Sequence, residues 1–274
     1  MTFTLHILTL ALLAAPPTPE RDPGDPVPPK LPKALVDQPL PWAPIEIASC
    51  KERLDKAGLD GAHFRFSRNA WVQSRPARSK ETGPLWCHVP QGTVLWVGPT
   101  GIRYYGFMHM SCAMTLAMVR FEEVAQAEAR RVWGRPETEN PIRSITHYGT
   151  YNCRWQRFKD KISEHAYGNA LDIAGFNITG VWGEVSVYRH WTARWKGAEK
   201  HSEFLRGLVQ RLREAEVFTN VLDPEWDAGH QNHLHVDMAP ITYGQPSPAL
   251  ERVRSMPTDD PGDADAEAGG EPAQ

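Results

Sequence analysis

The chain has 274 residues, a formal net charge of −3 and 24 prolines. Eleven of those prolines fall in residues 1–44, and residues 256–274 carry six acidic residues without a single Lys or Arg. What lies between, residues 45–255, is long enough for one domain with a sizeable core and has a net charge of about +4. That charge is too mild for a nucleic-acid binder, and no run of about 20 apolar residues exists to build a multispanning membrane protein.

Residues 1–15, MTFTLHILTLALLAA, resemble a short export signal. An apolar run from Leu5 to Ala15 ends in small residues before Pro16, although the segment ahead of it has only His6 and no Lys or Arg. An uncleaved N-terminal anchor is the alternative. Residues 16–44 are proline-rich, and proline fixes φ while removing a donor, so an extended linker is expected there. The acidic segment 256–274 is expected to be a disordered tail.

Within 45–255, residues 50–58 suit a short helix closed by Gly58. The runs VLWVG and IRYYGF suit short strands. Ser111 to Trp133 is the clearest helix, with Ser111 as its cap, Gly134 and Pro136 at its end, and Leu116, Val119, Val124 and Val132 on its packing face. Pro141–Tyr148 is a strand candidate. A second helix spans Glu199–Ala215 with Phe204, Leu205, Leu208, Val209 and Leu212 as its apolar stripe. Strands are expected at Ala170–Phe176, Glu184–Tyr188 and His233–Met238. Separate helices and short strands predict an α+β fold, a small antiparallel sheet flanked by helices. Cys50, Cys87, Cys112 and Cys153 form an even set outside the leader, and export makes two disulfides the expectation, with three pairings open.

The chemistry is concentrated in two short segments that hold four of the 11 histidines. The first is Ser163-Glu164-His165-Ala166-Tyr167-Gly168-Asn169-Ala170-Leu171-Asp172. The second is His230-Gln231-Asn232-His233-Leu234-His235-Val236-Asp237. Alternate side chains of a strand share a face, so His233, His235 and Asp237 point one way and Leu234, Val236 and Met238 the other. Polar groups on one side of an apolar strand need partners, and a metal ion supplies one. Two imidazoles, a carboxylate and water form a common catalytic zinc shell, whose chemistry suits amide hydrolysis. The other six histidines after residue 6 (His63, His88, His109, His147, His190 and His201) have no ligand spacing.

Ser163-x-His165-x-x-Gly168-x-Ala170-x-Asp172 resembles the SxHxxGxAxD motif of the zinc D-Ala-D-Ala carboxypeptidases, and His230-x-x-His233-x-His235 is similar to the HxxHxH segment of the penicillin-insensitive murein endopeptidase. Both belong to the lysostaphin/D-Ala-D-Ala-peptidase/hedgehog group. Most of residues 50–240 resembles the bacterial extensin-like C-terminal domain family, through the Cys50 segment, Ser111-Cys112, Tyr151-Asn152-Cys153-Arg154, SEHAYGNALDIAGF and GHQNHLHVDMA. The resemblance implies a sheet carrying a zinc site, with His165, Asp172 and His235 as ligands. It implies that His233 is the catalytic histidine, that His230 lines the site, and that Arg154 meets a carboxylate or a developing oxyanion. One departure stands out: the carboxypeptidases have a glutamate base where this chain has Asn232, so the base role passes to His233 or Glu164. The resemblance, with the moderate loops it closes, also points to Cys50–Cys87 and Cys112–Cys153.

The function expected is therefore that of a periplasmic or secreted zinc (Zn2+) hydrolase acting on peptide amide bonds of peptidoglycan, without nucleic-acid partners. The competing expectation is a metal-binding, wall-associated module that has lost catalysis. A histidine nuclease is opposed by the missing basic patch. A non-haem iron oxygenase built on His235-Val236-Asp237 needs a further downstream His, and none follows residue 237.

Overall fold

The structure is a computed structural model that describes residues 47–67, 71–76, 85–89, 91–156, 161–242 and 245–258. The expected leader, the proline-rich linker and nearly all of the acidic tail lie outside these residues. The elements in chain order are α1 (Cys50–Lys56), β1 (Phe64–Phe66), β2 (Trp71–Arg75), β3 (Leu85–Val89), β4 (Thr93–Val97), β5 (Arg103–Met110), α2 (Cys112–Trp133) and β6 (Ile142–Gly149). A 3-10 turn (Glu164–Tyr167) leads into β7 (Ala170–Ile178), β8 (Glu184–Ser186), α3 (Val187–His190), α4 (Glu199–Glu214), β9 (Asn220–Leu222) and β10 (Leu234–Asp237). The small pair β11 (Ile241–Thr242) and β12 (Gln245–Pro246) and helix α5 (Pro248–Arg254) follow.

The α+β class is as expected. The sheet has eight strands in the order β1-β4-β5-β6-β7-β10-β9, with β8 also on β7. It is antiparallel except at β5–β6, which run parallel. A parallel neighbour requires a crossover, and α2 provides it. One edge of β7 pairs with β6; the other is divided, β10 taking Ala170–Ile173 and β8 taking Gly175–Asn177.

Helix α2 starts where Ser111 Oγ accepts the Met114 N–H and ends at Gly134, whose φ of 62° is the left-handed cap that glycine adopts without strain. Its buried side is wider than the sequence stripe: Leu116 and Val132 are buried, but Met114, Met118, Phe121, Ala125 and Ala129 form most of the face. Helix α4 buries Phe204, Leu205, Leu208, Val209 and Leu212, as its 3.6-residue period demands. The two helices and the sheet close one core, in which Phe204 meets Trp133 and Phe176 at ring separations of 5.2 Å. A smaller cluster (Leu85, Cys87, Cys153, Ile162, Ala166, Tyr167) lies under the β2–β3 hairpin. Met256 packs on the main core and its carbonyl accepts a hydrogen bond from Arg53.

Two expectations are corrected. The run Glu184–Tyr188 is a strand only to Ser186; the Ser186 N–H donates to His190 Nδ1 (3.0 Å), and this four-residue link turns the chain into α3. The disulfides are Cys50–Cys112 and Cys87–Cys153 rather than Cys50–Cys87 and Cys112–Cys153. Cys112 opens α2 against α1 in the main core, so Cys50 is its neighbour, whereas Cys87 and Cys153 meet in the smaller cluster. Loop length could not rank the pairings, because closure entropy grows only with its logarithm.

Candidate metal centre

The site is a consequence of strand register. β10 and β7 pair with His235 directly opposite Asp172 and with Leu234 and Val236 opposite Ile173 and Leu171. The period of two then sends the polar pair to one face and the four aliphatic residues to the core. His165 comes from the 3-10 turn that precedes β7. That turn ends at Gly168, whose φ of 65° and close approach to Ser111 (a Cβ would lie 3.0 Å from its nitrogen) leave room only for glycine. The Gly168 carbonyl accepts the Ser111 N–H at 2.9 Å, tying the ligand turn to the start of α2.

His165, Asp172 and His235 each present one ligand atom, and the three atoms lie within 4.8 Å of one another. Asp172 Oδ1 is 3.2 Å from His165 Nε2, 2.9 Å from His235 Nδ1 and 3.4 Å from His233 Nε2. The far nitrogens are also engaged. His165 Nδ1 lies 3.1 Å from the Thr150 carbonyl oxygen, and His235 Nε2 lies 3.1 Å from Asp237 Oδ2.

These contacts test whether a cation fits. Thr150 O and Asp237 are acceptors, so each imidazole must direct its N–H outward. A neutral ring then aims a lone pair at the Asp172 carboxylate. Either the rings carry a second proton or a cation lies at the focus. The outward hydrogen bonds are the arrangement that holds metal-ligating histidines in one tautomer. Without a cation the protons respond: burial would lower the His235 pKa, but its bonds to Asp172 and Asp237 raise it to about 9. Burial likewise opposes the Asp172 charge, and the two imidazoles overcome it and hold the carboxyl well below the usual range. Two imidazoles and a carboxylate suit a borderline ion such as zinc.

The remaining site candidates divide. His233 stands beside Asp172, and its Nδ1 faces Asn232 Oδ1 at 2.8 Å. Asn232, which occupies the place of a carboxylate base, therefore accepts from His233 and leaves the Nε2 lone pair turned toward the cluster. Burial lowers the His233 pKa. His230 pairs with Asp227 at 2.7 Å, with its ring 5.2 Å from that of His233 and 5.7 Å from that of His235. Glu164 accepts from Asn169, and burial together with the charge of Asp237 pushes its pKa up to about 7. Arg154 is exposed and forms no hydrogen bond or ion pair with the cluster; its carbonyl accepts the Ser163 N–H.

Two contributors, Thr150 and Tyr148, escaped the sequence, and a third, Asp237, was placed but given no role. Thr150 acts through a carbonyl, which no side-chain pattern reveals. Asp237 lies on the predicted polar face, and that periodicity was its signal. Tyr148, at the end of β6, sets its exposed ring edge-on to His233 at 5.9 Å. The β6–β7 register shifts at His147 and again at Gly149, opposite Asp172. Those irregularities bend β6 beside the ligand and lead the chain to Thr150 and the Cys87–Cys153 bridge.

An α+β domain with a partly buried His–Asp–His cluster at the β7–β10 pair defines a candidate metal-binding domain. A family model described as "Extensin-like protein C-terminus" matches residues 65–245, and the chain belongs to that family. No curated protein and no solved structure matches it.

Proposed function

We propose that the chain is an exported zinc-dependent hydrolase of peptide amide bonds in the bacterial cell wall, related to the lysostaphin/D-Ala-D-Ala-peptidase/hedgehog group. The observation that carries this reading is the convergence of His165, Asp172 and His235 with the Nε2 lone pair of His233 beside them. His165, Asp172 and His235 would hold the ion. Zinc, when bound, polarises a carbonyl and lowers the pKa of water. His233 accepts a proton at Nε2, and Asn232 keeps its ring in that tautomer. Glu164, with its pKa near neutrality, is equipped to hold and release a proton. Arg154 offers an exposed cation to a substrate carboxylate, and Tyr148 a ring at the rim. Two disulfides suit a periplasmic or secreted protein.

A second reading, a metal-binding wall module without catalysis, is favoured by Asn232 where a carboxylate base stands in the carboxypeptidases. Metal content by mass spectrometry and cleavage of purified murein decide between the two. The hydrolase reading expects His233→Ala to keep most of the metal and to lose activity by about 100-fold or more. His235→Ala should lose both. Inverted metal contents would reverse the ligand assignment. A wild type that binds zinc but cleaves neither murein nor simple peptides would establish the module.

A further inference from the structure

A second concave surface lies outside the metal centre, where the β7–β8 connection faces the segment that leads into α4. It is a cleft of about 420 Å³ whose lining includes Trp182, Arg189, His190, Trp195, Lys196 and His201. Trp182 is 98% exposed and Trp195 53% exposed. Large rings left in water on one cleft are a recognition feature rather than a packing one. β8 joins β7 at Gly175–Asn177, beyond the ligand Asp172, so none of these residues belongs to the His–Asp–His cluster.

The polar groups narrow the ligand. Among the described residues neither Arg189 nor Lys196 has an ion-pair partner, although ten other Lys and Arg side chains do. The acid of the cleft, Glu184, folds its side chain across Gly175, where an added Cβ would lie 2.7 Å from its Cδ. His190 and His201 stack at 4.7 Å, but this pair is poorly suited to a metal. His190 Nδ1 accepts the Ser186 N–H, so in the neutral ring Nε2 carries the hydrogen and donates. The cleft thus combines two flat apolar faces, two cations without an ion-pair partner among the described residues, an imidazole donor and one carboxylate, Glu184, held at its Gly175 wall. An apolar surface with a few placed polar groups is the composition of a small-ligand site, and rigid indoles add contact area at low entropic cost.

We propose that this cleft binds an acidic saccharide, with a sugar ring against the indoles of Trp182 and Trp195 and its carboxylate at Arg189 and Lys196. A sugar ring has the needed shape, apolar C–H faces with hydroxyls at its edge. A lipid surface would meet the indoles yet leave the donors within the concavity unfilled. The proposal rests on the cell-wall reading only for the choice of saccharide, the glycan strand whose alternate sugars carry a carboxylate once their peptides are removed.

The test is titration calorimetry of the full-length protein with three probes: peptide-free wall glycan strands, neutral N-acetylglucosamine oligomers, and phosphatidylglycerol vesicles. Saturable binding to the acidic strands is expected, with the neutral oligomers at least about ten-fold weaker. Trp182→Ala should weaken strand binding about ten-fold or more. Because Trp182 is almost wholly exposed, that variant tests the cleft and not the fold. Arg189→Gln with Lys196→Gln should erase the preference for acidic strands. His235→Ala should bind strands as the wild type does, which separates this proposal from the metal reading; strand binding without murein cleavage would leave the cleft assigned and the hydrolase refuted. No saturable strand binding, or unchanged binding by Trp182→Ala, overturns the proposal. Binding to vesicles alone, lost in Trp182→Ala, overturns it in favour of a membrane-docking surface.

Discussion

Two carboxylates withdrawn from water, the fully buried Glu122 and the half-buried Asp172, have opposite surroundings. Glu122 on α2 accepts from the Thr100 N–H (2.9 Å), the Thr100 hydroxyl (2.6 Å) and the Tyr104 hydroxyl (2.5 Å). These donors are neutral and have no competing acceptor, so the cluster is complete as it stands. Burial raises the pKa of Glu122, with those hydrogen bonds opposing it. Asp172 instead faces imidazoles whose outer nitrogens are already committed to Thr150 O, Asp237 and Asn232. There acceptors outnumber donors, and a cation balances the set. Withdrawal of a carboxylate from water is therefore not in itself a mark of function; the mark is a shell in which acceptors outnumber donors.

The largest effect expected to sharpen this contrast is loss of the ion. His235→Ala should reduce zinc affinity about a thousand-fold, or ~4 kcal/mol, one ligand's share of the total typical of structural zinc sites. Competition with a chromogenic chelator measures it. Glu122→Ala should leave affinity unchanged while lowering the melting temperature, and a fall in affinity there would erase the distinction between the clusters.

The two disulfides divide along the same line. Each joins residues more than 60 apart, at separations of 62 and 66, and removing either should destabilise the fold by about 2–4 kcal/mol. Cys153 lies in the segment that carries the Thr150 carbonyl, where Asn152 N–H donates to the His165 carbonyl and Arg75 to the Cys153 carbonyl, whereas Cys112 reaches the ligand turn only through the neighbouring Ser111–Gly168 hydrogen bond. Cys87→Ser with Cys153→Ser should therefore also weaken zinc binding about ten-fold, and Cys50→Ser with Cys112→Ser should not. Denaturant melts and chelator competition on both variants distinguish them, and equal losses of metal would mean that the bridge does not position His165.

Asp237→Asn should cost 10- to 100-fold in zinc affinity, because its carboxylate orients and charges the His235 ring. Unchanged affinity would show that the Asp172 contact alone suffices.

The smallest effect concerns Glu122. Its folded pKa is raised, so its protonated form contributes stability that is present below the ordinary carboxylate value of about 4.5 and is lost as pH rises through the folded value. Glu122→Gln keeps the shape without the proton. The variant should stay within about 1 kcal/mol of wild type and gain on it as pH rises above about 4.5 in calorimetric melts. A wild type that gains instead would mean that Glu122 is held as a carboxylate.

Much of this was legible in the sequence, and the rest was hidden for identifiable reasons. The helix from Cys112 to Trp133 announced its caps at Ser111 and Gly134, and the stripe of α4 followed its own period. Asp172 and His235 stood out as polar groups inside apolar strands, and His165 joined them through the motif that the family resemblance supplied. The disulfide pairing depended on α1 lying against α2, a distant packing event that local spacing does not encode. Thr150 contributes a backbone oxygen, and Asn232 acts through a neighbour's tautomer, so neither residue type advertises its part. His190 and His201 lacked ligand spacing, and the structure assigns them to a different surface rather than to the metal.

The interlaced order of the bridges has a consequence for how the chain matures. Cysteines emerge from synthesis or a translocation pore in the order Cys50, Cys87, Cys112, Cys153, and the native bonds join the first to the third and the second to the fourth. In an oxidising compartment, the first two thiols to arrive together are Cys50 and Cys87, a pair the finished protein never uses. If they join, Cys112 at the start of the long helix reaches the native bond by thiolate attack on Cys50, which releases Cys87 for Cys153. Shuffling of this kind takes seconds to hours unless an isomerase assists. Yield of the folded protein then depends on thiol–disulfide exchange as well as on the stability of the fold.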